Sequence, residues 1–236
     1  MRAGIFTVTL TDIQDMGIQD TRHFRLSFDP GTVFDYEAGQ FLNIMIPTPE
    51  KVLKRPYSIA SSPTWKGFVD LCWKRIPGGK ATEYLWTLKK GDKLQIQGPL
   101  GRFTAQRPLP KTIVFVSTGT GIAPFRSMIH DLLEKGEQLQ ILNIFGNRYD
   151  EDILYQKEFE ELALKHPNLK NIFTVSRPKT WKGESQYVQF LLSKHLASPA
   201  DTHVYICGLT NMINAVVESA AAMGFTKEQI HYEKYD

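Results

Sequence analysis

The pattern of this chain changes at Pro108-Leu109-Pro110, and that change limits what it can fold into. Upstream, apolar residues alternate with polar ones in five short runs: Ile5–Leu10, His23–Phe28, Phe41–Ile46, Phe68–Trp73 and Lys93–Ile96. Period-two alternation of this kind reads as half-buried strands. The turn clusters Asp29-Pro30-Gly31, Pro77-Gly78-Gly79 and Lys90-Gly91-Asp92 separate them, and one helical segment, Thr82–Leu88, interrupts them. Strands so spaced predict an antiparallel barrel or sandwich.

Downstream, strand and helix alternate. Thr112–Ser117 is short and almost wholly apolar, the mark of a central parallel strand covered on both faces. Helical periodicity follows in Phe125–Glu134, then a strand at Gln138–Phe145, a helix at Gln156–Lys165 and a strand at Asn171–Ser176. A helix at Ser185–His195, a strand at Thr202–Cys207, a helix at Met212–Met223 and a strand at Gln229–Glu233 complete the series. Repeated βα units predict an α/β doubly wound parallel sheet, with ligands at the carboxyl ends of its strands. The expected organisation is two-domain: an antiparallel β-barrel over residues 1–107, a linker at 108–111 and the α/β domain over 112–236. At 236 residues there is room for two cores.

Composition excludes several classes. With 42% hydrophobic and 22% charged residues the chain is neither collagen-like nor disordered. No apolar run approaches the ~20 residues that span a bilayer, so no membrane insertion is expected. Met1–Leu10 alternates rather than forming a signal-peptide block. Cys72 and Cys207 are too few for an iron–sulfur cluster. The expectation is a reduced, soluble, cytoplasmic monomer. The six histidines show no close ligand spacing, and no metal site is expected.

Charge is uneven. Residues 51–107 carry 12 basic side chains against three acids, Asp70, Glu83 and Asp92. This is either a solvated basic surface or a docking face for an acidic partner. Nucleic acid is disfavoured, because the basic residues lie among strands and turns with no basic helix or zinc pattern.

Three segments carry candidate chemistry. Thr118-Gly119-Thr120-Gly121-Ile122-Ala123-Pro124 joins a strand to a helix, where glycines admit a ligand to the backbone and the helix N-terminus favours a pyrophosphate. On its own it is equally a tight strand-to-helix turn. Arg55-Pro56-Tyr57-Ser58 sets a bidentate cation, a flat aromatic and a hydroxyl side by side, in a segment also readable as an ordinary strand. Gly78-Gly79-Lys80-Ala81-Thr82 is a second phosphate loop or a capped turn, with Thr82 expected to cap the helix that follows.

In order and spacing, Arg55-Pro56-Tyr57-Ser58, Gly79-Lys80-Ala81-Thr82, Gly119-Thr120-Gly121-Ile122-Ala123-Pro124-Phe125-Arg126-Ser127 and Cys207-Gly208-Leu209 resemble the ferredoxin–NADP reductase family across essentially the whole chain. The Leu71-Cys72-Trp73-Lys74-Arg75 strand and the Thr118–Ser127 loop are especially similar to the plant-type branch. The resemblance implies FAD and NADP as cofactors, with NAD as the alternative. It implies that Arg55 binds the FAD pyrophosphate beside Pro56, that Tyr57 packs on the isoalloxazine and that Ser58 hydrogen-bonds near flavin N5. Backbone at Cys72, Trp73 and Lys74 would line the flavin, and Gly79, Lys80, Ala81 and Thr82 would hold the pyrophosphate. Thr118, Gly119, Thr120, Gly121, Ile122 and Pro124 would cradle the dinucleotide, with Cys207, Gly208 and Leu209 beside the nicotinamide. Glu233 resembles the family's late carboxylate and is equally readable as a solvated strand-end residue; Tyr235 is the candidate for an aromatic over the flavin.

Ser176-Arg177 and Tyr187 resemble the plant-type pocket for a 2′-phosphate, with Ser185 where that pocket has a lysine and Arg148 as a compensating charge. Only Ile76-Pro77 separates Arg75 from Gly78, so the plant-type insertion that supplies an adenine-stacking aromatic is absent, and Trp65 is not assigned to that role. The implied function is exchange of hydride between NADP(H) and FAD, with single electrons passed to or from a separate acidic carrier such as ferredoxin or flavodoxin. An NADH-dependent oxygenase reductase component, a free-flavin or ferric reductase, and a non-enzymatic flavin-binding protein are the alternatives.

Overall fold

The structure, a computed structural model, describes residues 3–17 and 20–235. The chain forms two packing units, the first running to Thr104 and taking in Ala123–Glu134, the second comprising Ala105–Ile122 and Lys135 onward.

In the first unit, strands β1 (Gly4–Met16), β2 (Thr21–Phe28), β3 (Phe41–Pro47), β4 (Val52–Ser58), β5 (Phe68–Lys74) and β6 (Lys93–Leu100) form one antiparallel sheet in the order β4-β3-β6-β1-β2-β5. A bridge between Ile59 and Leu71 joins its two end strands and closes the sheet into a barrel. Alternation puts Val8, Leu10, Phe24, Leu26, Leu42, Ile44, Val69, Leu71 and Ile96 inside, with Leu85 of helix α1 (Lys80–Thr87) added to the same core. Strand β1 runs six residues past the expected Leu10: its register shifts between Leu10 and Asp12, and beyond that bulge Thr11–Met16 forms a mostly polar arm against β2. Strand β6 likewise continues to Leu100, where it pairs with Phe41.

The second unit holds a parallel sheet in the order β11-β10-β7-β8-β9, from β7 (Thr112–Thr118), β8 (Gln140–Asn147), β9 (Leu169–Val175), β10 (Thr202–Gly208) and β11 (Ile230–Lys234). Helices α3 (Gln156–Lys165), α4 (Val188–His195) and α5 (Thr210–Ala222) complete it. Val114, Val116, Ile144, Val204 and Ile206 pack against Leu191, Leu192, Ile213 and Val216 of α4 and α5. Helix α4 starts three residues later than expected, because Ser185–Tyr187 follows the edge of β9: Thr174 bridges to Glu184, and the Thr174 hydroxyl donates to the Gln186 carbonyl at 2.5 Å. Helix α5 starts earlier, at Thr210, directly after Leu209.

Helix α2 (Ile122–Glu134) follows the Gly-rich turn in sequence, yet from Ala123 onward it packs with the barrel. Asp70 of β5 is fully buried, and its carboxylate accepts two bonds from Arg25 (2.8 and 3.0 Å) and one from Arg126 of α2 (3.3 Å). His23 stands 3.5 Å away. Burial pushes the Asp70 carboxyl up, but hydrogen bonds from His23 and Arg25 and the charges of His23 and Arg126 outweigh it, leaving the group far below the usual carboxylate range. At the other end of α2, Glu134 accepts bonds from Ser62, Thr64 and the Trp65 indole. Among the described residues no helix is long and apolar enough to cross a membrane.

Candidate cofactor and dinucleotide sites

Strands β4 and β5 meet at the Ile59–Leu71 bridge, and counting along both from it sets Ser58 level with Cys72 and Tyr57 level with Trp73. Arg55 is exposed, and its guanidinium reaches the Lys54 carbonyl at 3.0 Å. Pro56 is exposed and Ser58 buried. The half-buried Tyr57 ring packs on the barrel core, and burial, moderated by Arg55, pushes its hydroxyl up to about 12. The Trp73 indole turns into the barrel, edge-on to Phe24 at 5.1 Å and to Trp86 at 6.0 Å, so it offers a ligand its backbone rather than its ring. Cys72 is buried and in no disulfide, and Lys74 is exposed.

The turn before α1 differs from expectation. Gly79, not Thr82, occupies the N-cap position, and it supplies no side-chain cap. Thr82 lies inside the first turn, where its hydroxyl accepts from the Ile76 N–H (2.9 Å) and donates to the Ile76 carbonyl (3.1 Å), closing the loop. The amides of Lys80, Ala81 and Thr82 precede the first intrahelical bond, made by Glu83 N–H to the Gly79 carbonyl at 2.9 Å, and are the donors such a turn presents to an anion. Gly78, with φ of +75°, makes the turn in a left-handed conformation that favours glycine.

In the second unit the carboxyl ends of β7, β10 and β11 gather the other predicted residues. Cys207 pairs with Ser117 on one side and Glu233 on the other. Gly119–Gly121 form a single tight turn into α2, with Thr120 half-buried between the glycines. Gly121 lies so close to β10 that a methyl group there would come within 2.3 Å of the Cys207 carbonyl oxygen. A methyl group at Gly208 would come within 2.8 Å of Thr118 Oγ1, and the Tyr235 N–H donates to the Gly208 carbonyl at 3.0 Å. Cys207 is fully buried; burial and the neighbouring Glu233 carboxylate push its thiol well up, against a hydrogen bond with Tyr235. Leu209 is exposed, while Ile122 and Pro124 are buried in the first turn of α2.

Arg148 and Arg177 extend β8 and β9 in register: the Asn147 carbonyl accepts the Ser176 N–H at 3.0 Å and the Arg148 carbonyl accepts the Arg177 N–H at 2.8 Å. Both arginines are exposed, and neither has an ion-pair partner among the described residues. Tyr187, at the start of α4, is 64% exposed.

Sequence reasoning missed Asp70, whose signal was a lone acid inside the apolar run Phe68–Trp73, and Asp150, one of three consecutive acids with nothing to single it out. It also missed that Trp65 is engaged by α2, through Glu134 and an edge-on contact with His130 at 4.7 Å. Among the described residues there is no group of three or more His, Cys, Asp or Glu side chains placed to hold a metal.

The donor set fits the expected cofactors. An exposed guanidinium, a flat half-buried ring and first-turn amides on the barrel suit a flavin dinucleotide. Ser117 Oγ and Asn147 Oδ1, buried at the carboxyl ends of β7 and β8 without a hydrogen-bond partner among the described residues, lie where doubly wound sheets take nucleotides.

Residues 7–105 match the oxidoreductase FAD-binding domain and residues 115–218 the oxidoreductase NAD-binding domain. Fold and matches together define an FAD-dependent oxidoreductase linked to NAD(P). The chain is 39% identical over 221 residues to ferredoxin–NADP reductase B of Sorangium cellulosum, covering 89% of this chain and 91% of that protein. It is 32% identical to NADH-cytochrome b5 reductase 1 of Dictyostelium discoideum over 218 residues, 89% of this chain and 76% of that one. Among solved structures, an Amycolatopsis cytochrome P450 reductase superposes with a TM-score of 0.89 at 25% identity, covering 98% of this chain and 70% of that one. The protein belongs to the ferredoxin–NADP reductase family.

Proposed function

We propose that this enzyme exchanges hydride between NADP(H) and FAD and passes single electrons to or from a separate acidic carrier protein such as a ferredoxin or flavodoxin. The observation that carries the NADP reading is a pair of exposed arginines, Arg148 and Arg177, side by side at the ends of adjacent parallel strands and without ion-pair partners among the described residues. Two guanidinium forks suit a 2′-phosphate, and Tyr187 offers an adjoining stacking surface. FAD, when bound, supplies a ring that takes up electrons as a hydride and releases them one at a time.

Within the chain, Arg55 and the first-turn amides of α1 would bind the pyrophosphate, Tyr57 would support the ring and Ser58 would donate near N5. The Tyr57 hydroxyl, raised to about 12, stays protonated at neutral pH. The Cys207 thiol also stays neutral, so its role is to pack and align the nicotinamide rather than to attack it. Glu233 would orient the nicotinamide, and Tyr235 would present an aromatic surface to the flavin.

The carrier reading rests on the basic excess in residues 51–107. The three acids there offset little of it at the surface: Asp70 is buried, and Glu83 cancels a single basic side chain, Arg75, at 2.7 Å. The 39% identity to a ferredoxin–NADP reductase supports the same partner class. Both cysteines are outside any disulfide, as a reducing cytoplasm would keep them, and we take the enzyme to act there as a monomer.

Anaerobic titration with NADPH and NADH separately tests the nucleotide choice. Preferential bleaching by NADPH is expected; preference for NADH would replace it with the oxygenase-reductase or cytochrome-reductase reading that the 32% relative favours. Turnover with an acidic carrier should fall as salt rises, and a rate indifferent to salt would remove the electrostatic docking.

A further inference from the structure

We propose that Asp150 is a positioning residue for 2′-phosphate recognition, fastening the segment that presents Arg148 and Arg177; the proposal rests on the NADP reading above. Beyond the last rungs of β8 and β9, segments 147–150 and 176–181 stay joined by a seam of hydrogen bonds. It begins with the Asn147 and Arg148 carbonyls, which accept from Ser176 and Arg177. It ends on the Asp150 carboxylate. Oδ2 accepts the Thr180 N–H (2.6 Å), the Trp181 N–H (2.9 Å) and the Thr180 hydroxyl (2.8 Å), and Oδ1 accepts the Lys179 N–H (3.1 Å).

The two arginines therefore lie between the sheet on one side and this pin on the other. The loop returns to β9 through the Glu184 carbonyl, which accepts the Val175 N–H (3.0 Å) and the Trp181 indole N–H (2.9 Å). Pro178 further restricts Arg177 to an extended conformation. Without the Asp150 carboxylate, four donors in the middle of the loop lose their acceptor, and beyond its sheet-side fastening Arg177 is held through the exposed Lys179–Glu151 pair at 3.3 Å. Ordering two long side chains on a phosphate then costs more conformational entropy.

The carboxylate carries a negative charge close to the anion site, so a purely electrostatic role makes the opposite prediction. Hydrogen bonds led by the Thr180 N–H, outweighing a smaller effect of burial, hold its carboxyl down to about 2, and the charge is present throughout the working pH range. If charge repulsion dominated, removing Asp150 would tighten phosphate binding. If the pin dominates, removal weakens it.

Isothermal titration of the holoenzyme with 2′,5′-ADP and with 5′-AMP separates these. Asp150→Ala should weaken 2′,5′-ADP by about 3- to 10-fold and leave 5′-AMP within about two-fold, on the scale of one or two lost hydrogen bonds. Asp150→Asn should recover most of the loss, because one amide oxygen can replace Oδ2. Arg177→Ala should abolish the preference for the 2′-phosphate. Tighter 2′,5′-ADP binding in Asp150→Ala, or equal weakening of both nucleotides, overturns the proposal. Unchanged binding in Asp150→Ala with a deficient Arg177→Ala overturns the pin and leaves the arginine reading standing. An Arg177→Ala enzyme that still prefers the 2′-phosphate overturns that reading and the pin with it.

Discussion

Replacing Asp70 with Asn keeps the side chain's shape and removes its charge. The carboxylate is fully buried and faces Arg25, Arg126 and His23 at 2.8, 3.3 and 3.5 Å. The cost falls unequally on these partners. The Arg25 side chain is 39% exposed and can turn its guanidinium to water, whereas Arg126, at 7%, stays buried, where it also donates to the Ala60 carbonyl at 3.0 Å. Breaking a buried pair by removing one partner costs about 3–5 kcal/mol, and the escape open to Arg25 puts this case near about 3.

With urea slopes of about 1–3 kcal/mol per molar, the midpoint for the first unit should fall by about 1–3 M. Tryptophan fluorescence reports the event locally, because Trp65 stands 5.2 Å from the Arg126 guanidinium. The double variant Asp70→Asn, Arg126→Met should lose less than the sum of the two single variants, since the buried cation that faced Asp70 is then gone. Acid gives a further check. The native Asp70 pKa is depressed, so its stabilisation is present above the ordinary value of 3.8 and is lost as pH falls below that value. The Asn variant should lack this component of acid unfolding. An Asp70→Asn loss below about 1 kcal/mol, or one unchanged by Arg126→Met, refutes the account.

Gly121→Ala should abolish tight dinucleotide binding while flavin is retained, because the new methyl would meet the Cys207 carbonyl at 2.3 Å; equilibrium titration with NADP against wild type decides it. Tyr235→Ala should open the buried Cys207 to thiol reagents that leave the native protein unlabelled over minutes, as followed by mass spectrometry. His231 and His203, 3.1 Å apart, both have pKa values pulled below 6.5, first by burial. Their neutral forms therefore stabilise the fold above about pH 6.5, and that contribution is lost as the pH falls. His231→Phe, which keeps a ring beside Tyr205, should flatten the decline of Tm between pH 7 and about pH 5.

Alternation and turn chemistry made most of the barrel legible, because its strands are buried on one face and wet on the other. They failed at Thr11–Met16, where the bulge reverses the faces of β1 and neither side is fully buried. The βα rhythm disclosed every strand of the parallel sheet, with ends displaced where loop residues borrow sheet bonds, as Glu184 and Gln186 do beside β9. Thr82 was misplaced because a hydroxyl that closes a turn from inside the helix has the same sequence signature as one that caps it from outside. Asp70 and Asp150 were illegible as anchors: one depends on cations 45 and 56 residues away, the other on amides about 30 residues away.

The docking of α2 on the barrel has a consequence for how the protein can be made and divided. A ribosome that has released the last barrel strand has not yet supplied Arg126 or Glu134. The nascent barrel must hold Asp70 with Arg25 and His23 alone until the helix emerges. A gene cut at the proline-bounded linker would leave the barrel in that unfinished condition. The two halves that look separable on paper are therefore not interchangeable cassettes, and any fusion or swap that respects this protein's stability has to carry the segment through Glu134 with the flavin half.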